Sequence, residues 1–152
     1  MTTVTTEVRV RDLAPGDREG WFRLWAGYLE FYETEVADAV SERTWGRLMD
    51  AAAPVHGLVA DCDNRVAGIL NYVLHDNTWA TAPVCYLEDL FVDPALRGQG
   101  AGRALIEALV EEAQSRGWHR VYWMTKADNA TARDLYDKLA DATDWVRYDA
   151  HM

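Results

Sequence analysis

Three groups of residues in this 152-residue chain have side chains whose type and spacing suit chemistry. The first is Tyr86-Leu87-Glu88-Asp89-Leu90, where two adjacent carboxylates interrupt an apolar, strand-like run. Side chains alternate along a strand, so one carboxylate is expected to face a cleft and the other to face away. A carboxylate beside an amine draws in the ammonium and takes its proton, directly or through water. Glu88 is the candidate base; Asp89 is the reserve and a candidate acceptor-binding group. The same pair also fits an exposed strand or a salt bridge to a helix. The second group is Asn129 and Tyr136, seven residues apart and therefore on one helical face. They offer an amide and a phenolic proton donor, or else a plain N-cap and a core aromatic.

The third group is the run Leu90-Phe91-Val92-Asp93-Pro94-Ala95-Leu96-Arg97-Gly98-Gln99-Gly100-Ala101-Gly102-Arg103. It reads as a buried strand, a proline break, a glycine-rich turn and a helix start. Amides at a helix start lack intrahelical partners and lie at the positive end of the dipole, so phosphate binds there. Glycines at 98, 100 and 102 let a diphosphate approach the backbone, and Arg97 adds positive charge. A P-loop needs a Gly-Lys-Ser/Thr triplet that this chain lacks, and the glycine spacing does not match a dinucleotide fingerprint.

Several elements must position these groups. Residues 5 to 11 alternate and predict a first strand. Asp17 is a candidate N-cap for a helix carrying Trp21, Leu24, Trp25, Tyr28, Leu29 and Tyr32 on one stripe. Most of that stripe fits a core face, while its wetter end, Tyr28 to Tyr32, could line an acceptor groove. Glu30, Glu33, Glu35 and Asp38 follow, either a solvated run or a grip for a polycation. Ser41 is expected to cap a second helix. Residues 55 to 60 and 65 to 74 predict a hairpin around the turn at 61 to 64. Strands are expected at 84 to 92, 121 to 124 and 145 to 148, and helices after the glycine loop and after Asn129. The unit from residue 84 to residue 124 is a βαβ crossover, hence parallel. The whole is a mixed α/β sandwich, read as a single domain over 1–152.

The charge balance is −10, which repels nucleic acid and suits a cationic partner. No apolar run is long enough for a membrane span and no signal peptide is evident, so a cytoplasmic location is expected. Cys62 and Cys85 are read as reduced thiols, and four scattered histidines give no support to a metal site.

The segments 86–92, 97–102 and Asn129-Ala130-Thr131-Ala132-Arg133-Asp134-Leu135-Tyr136 together resemble the successive central motifs of the GNAT N-acetyltransferases, covering the C-terminal half. Leu87-Glu88-Asp89-Leu90-Phe91-Val92, Val121-Tyr122-Trp123 and the aromatic run from Leu24 to Tyr32 are similar to the branch of diamine/polyamine and small histone acetyltransferases. The resemblance implies a GNAT-like fold: a mixed, mostly antiparallel sheet of about six or seven strands, splayed between strands 4 and 5, with about four helices. It also implies acetyl-CoA as cosubstrate and a homodimer. The backbone of Leu90, Phe91 and Val92 would pair with pantetheine. Arg97, Gly98, Gln99, Gly100, Ala101, Gly102 and Arg103 would hold the diphosphate. Asn129 would contact CoA, with Glu88 as base and Tyr136 as acid toward the departing thiolate. Tyr28, Tyr32, Glu33 and Asp89 would meet the acceptor. After Tyr136 the chain lacks the family's Gly-Phe continuation. The reading is an N-acetyltransferase acting on a primary amine of a diamine, a polyamine or a similar small cation by direct transfer. The rivals are acetylation of protein lysines or N-termini, and a non-catalytic acyl-CoA sensor.

Overall fold

The computed structural model describes residues 7–152. Five strands form one sheet in chain order: β1 (Val8–Asp12), β2 (Val55–Cys62), β3 (Arg65–His75), β4 (Val84–Val92) and β5 (Arg120–Tyr122). All neighbours are antiparallel except β4 and β5, which are parallel, as the crossover between them requires. The helices are α1 (Arg18–Phe31), α2 (Asp38–Leu48), α3 (Ala101–Arg116) and α4 (Ala130–Leu139). On one face of the sheet Leu58, Leu70, Cys85 and Leu87 pack on Leu105, Ile106 and Leu109 of α3. On the other, Val59, Ile69 and Phe91 pack on Trp21, Leu24 and Trp25 of α1 and Trp45 of α2. Helices α1, α2 and α3 bury their apolar stripes, whereas α4 rests Leu135, Tyr136 and Leu139 half-buried on the α3-side layer; the alternation of β2 and β3 supplies both layers.

The hairpin between β2 and β3 closes on Asp63 and Asn64, both with positive φ (52° and 63°), the geometry a two-residue hairpin needs. Gly117 ends α3 in the left-handed conformation. Two structural details fix where the site lies. The pairing of β4 with β5 stops at Tyr86 opposite Tyr122, so the rest of β4 has no strand on that side. Gly27 lets α1 lie against the sheet, because a Cβ there would come within 2.8 Å of the Phe91 ring.

Several expectations are corrected. Among the described residues the sheet has five strands rather than six or seven, because residues 145 to 148 do not form one. Alternating apolar residues make a strand only beside a partner strand. Here the chain leaves α4 extended at Ala140, and Trp145 and Tyr148 stay 82% and 91% exposed. The first strand begins at Val8; positions 5 and 6 of the expected strand lie outside the described residues. Ser41 is no cap: α2 starts earlier, and the buried Ser41 hydroxyl accepts a 3.0 Å bond from the Trp25 indole. Asp17 does not cap α1 either, since its carboxylate is taken by Arg11 and by the Ala14 amide, each at 2.8 Å.

Candidate active site

The glycine turn leaves the head of α3 open. Gly98 and Gly100 take positive φ (85° and 80°), and no side chain caps the helix. Its first backbone bond runs from Ala104 N to Gly100 O (2.9 Å), which leaves the amides of Ala101, Gly102 and Arg103 ahead of the ladder. Nothing lies within 4 Å of where a Cβ would stand on Gly98 or Gly100. Arg97 sits over Phe31 and Phe91, 5.9 and 5.7 Å from their centroids, which ties the turn to α1. The Arg103 guanidinium bonds Glu107 at 2.7 Å along the exposed helix. Such a pair is worth only about 0.3–0.5 kcal/mol, so an anionic ligand competes with it easily. Leu90 and Val92 point to the α3 side and Phe91 to the α1 side, and their backbone lines the unpaired edge of β4.

The two carboxylates are not segregated as strict alternation requires. Asn71 pairs with Asp89, but the next residue, Tyr72, pairs with Leu87. Glu88 is the extra residue of a β-bulge. Leu87 and Leu90 consequently both pack in the α3-side cluster, and the two acids between them fall together on the α1 side. Asp89 accepts a 3.1 Å hydrogen bond from Asn71 Nδ2, and the Tyr28 hydroxyl stands close enough to act on the same carboxylate. Burial raises the Asp89 pKa and outweighs those two polar partners. Burial first, and then the neighbouring Asp89 charge, raises that of Glu88.

From α1, Tyr28 packs edge-on against Tyr32 at 4.9 Å. Burial and then Asp89 drive the Tyr28 hydroxyl pKa far up, so it stays protonated. Tyr136 stands on α4, packed against Trp123 at 5.6 Å. Burial raises its pKa, and the nearby Tyr32 hydroxyl adds to the shift. The fold thus brings Tyr28, Tyr32, Glu88, Asp89 and Tyr136 into one neighbourhood. Glu33 is not drawn in: it is exposed at the end of α1, in a positive-φ turn (51°). Asn129 does cap α4, its Oδ1 accepting from Ala132 N at 3.2 Å, and the amide NH2 is not used by the cap.

A family model described as the acetyltransferase (GNAT) family matches residues 19–140. The chain is 35% identical over 147 residues to the D-amino-acid N-acetyltransferase of Saccharomyces cerevisiae, covering 95% of this chain and 91% of that one. The chain belongs to the GNAT acetyltransferase family. A thialysine N-epsilon-acetyltransferase of Bos taurus is 35% identical over 74 residues, 49% of this chain and 43% of its own. Among solved structures, the ribosomal-protein-alanine N-acetyltransferase of Brucella melitensis superposes with a TM-score of 0.81 at 23% identity, covering 95% and 99% of the two chains. An aminoglycoside N-acetyltransferase in complex with CoA superposes at 0.77 with 19% identity over 99% of each. These two share the fold.

This GNAT protein is an N-acetyltransferase, and its acetyl donor is acetyl-CoA. The residues present fit that donor: open helix amides and bare glycines for a diphosphate, and an unpaired strand edge for an amide-bearing arm. One residue bonded to the candidate site is not legible in the sequence. Asn71 lies 2% exposed in β3, accepting from Trp21 Nε1 (3.2 Å) and donating to Asp89. Its signal is a lone polar residue inside the apolar run from Gly68 to Leu74.

Proposed function

We propose that this N-acetyltransferase, a single catalytic domain, transfers the acetyl group of acetyl-CoA to a primary amine of a small cation. The acceptor class is a diamine, a polyamine or a similar amine, and transfer is direct within a ternary complex. The observation that carries this reading is charge. Glu88, Asp89, Tyr28, Tyr32 and Tyr86 gather on the α1 side of β4, and among the described residues the polar partners of Asp89 are Asn71 and Tyr28, neither of them cationic. Even a half-buried carboxylate without a counter-ion is costly. An alkylammonium, with a pKa of about 10, supplies the missing charge.

In this reading the amides of Ala101, Gly102 and Arg103, with Gly98, Gln99, Gly100 and Arg97, hold the diphosphate. The β4 edge from Leu90 to Val92 and the Asn129 amide hold the arm. Acetyl-CoA supplies the activated acetyl group. Glu88 accepts the ammonium proton, directly or through water; its raised pKa brings it nearer the proton it must take. Tyr136, kept protonated by burial, donates toward the departing sulfur. Tyr28, Tyr32 and Asp89 line the acceptor side. A cytoplasmic homodimer completes the proposal.

The yeast relative named for D-amino acids supports a second reading, in which the amine is that of an amino acid. A third acceptor class, basic peptides, has the same charge. One screen separates them: release of free thiol from acetyl-CoA with diamines, polyamines, D- and L-amino acids, aminoglycosides and lysine-rich peptides. Turnover highest with diamines or polyamines is the expected result. Turnover confined to amino acids replaces the acceptor class, and no turnover with any amine overturns the enzyme reading of these residues.

A further inference from the structure

We infer that Asn71 is a positioning residue that fixes the Asp89 carboxylate in place and favours its ionised form. The inference rests on the acceptor reading above only for its functional consequence, namely that Asp89 anchors the ammonium beside Glu88. The geometry begins with Trp21. Its indole N–H is a donor only, so the Asn71 atom facing it at 3.2 Å must be the carbonyl oxygen. That settles which way the amide points: the NH2 end must face Asp89, as the 3.1 Å bond to Asp89 Oδ2 requires. Trp21 is fully buried and stacked on Trp25 at 5.2 Å, so the tether starts from one of the least mobile side chains in the protein.

The bulge makes the tether possible. With regular pairing through Tyr72, Glu88 and not Asp89 would follow Leu87 in the ladder; the extra residue slides Asp89 opposite Asn71 and frees Glu88 from pairing. The two carboxylates are thus given different constraints: Asp89 is held by a side chain of β3, whereas no side-chain hydrogen bond restrains Glu88 among the described residues. One is built to stay, the other to move a proton.

Groups from every packed element face Asp89. From α1 these are Tyr28 and, behind it, Tyr32; from β4, Glu88 and Tyr86; from β3, Asn71. Arg147 of the C-terminal segment lowers the pKa of Tyr86. Among the described residues no cation pairs with Asp89, so removal of the Asn71 donor must raise the Asp89 pKa.

The test reads Asp89 itself. Carboxyl carbon resonances are titrated by NMR in the wild type and in Asn71→Leu, with Asp89→Asn identifying the signal. Asn71→Leu is expected to move the Asp89 midpoint up by about one pH unit, since a hydrogen bond to a charged group contributes on that scale. The acidic limb of kcat/KM for the amine should move the same way, with acetyl-CoA affinity unchanged. If Asn71→Leu does not fold, Trp21→Phe removes the indole N–H together with part of the ring, leaves Asn71 itself in place but frees its amide to turn, and is expected to give a smaller shift of the same sign. An Asp89 midpoint that stays put in whichever variant folds overturns the inference. A shifted midpoint in a protein that acetylates no amine leaves the tether standing and overturns the acceptor reading instead.

Discussion

Glu88 and Asp89 have the same chemistry and adjacent positions, and their surroundings divide their work. Glu88 is the freer of the two, and both its burial and its neighbour raise its pKa. A base acts only when deprotonated, so activity limited by Glu88 must rise with pH through a midpoint above that of a free glutamate. Glu88→Gln is expected to lower kcat roughly a hundredfold and to remove the acidic limb of kcat, which a pH series at saturating amine measures. A variant profile parallel to the wild type would take Glu88 out of the mechanism. Both acids can be named from the sequence, but their shared side cannot. Alternation sets neighbours on opposite faces, and nothing in Leu87-Glu88-Asp89-Leu90 reveals an extra residue whose cause lies in the pairing with β3.

The helix-and-turn elements offer a cleaner experiment, because α3 has a positive-φ glycine just outside each end. Gly100 precedes it at φ 80° and Gly117 follows it at φ 72°, and a methyl added to either would meet nothing within 4 Å. Alanine at either position should cost about 1–2 kcal/mol of stability from the left-handed backbone alone. Only at Gly100 does the added methyl stand at the open helix amides. Gly100→Ala is expected to weaken CoA binding at least tenfold by calorimetry, and Gly117→Ala to leave it unchanged; equal affinities would remove the turn from the diphosphate site. These elements are legible in the sequence, as is the hairpin at Asp63 and Asn64, because glycine and asparagine announce backbone conformations locally. The cap expected of Ser41 and the strand expected at 145–148 are not, since each depends on what another part of the chain provides: the Trp25 indole in one case, an absent ladder partner in the other.

Across the whole molecule, the balance of −10 surrounds a site that itself gathers carboxylates. Such a field raises the local concentration of a polycation and is screened by salt, whose Debye length shrinks from about 14 Å to about 6 Å between roughly 0.05 and 0.3 M. For a polyamine acceptor, kcat/KM should fall at least about threefold over that range, while a zwitterionic amino acid shows little change. A flat response for both would confine the charge to solubility. No helix of the described residues is long and apolar enough to cross a membrane.

The turn at Asp63 and Asn64 has a reach well beyond its own corner. It sets how β3 lies on β2, and β3 brings Asn71 to Asp89. One residue added to that connection would turn each later β3 side chain over, sending the amide into the layer beneath α3 and leaving the acid unheld. An insertion in so remote a corner would therefore damage acceptor capture while every residue around the substrate kept its identity.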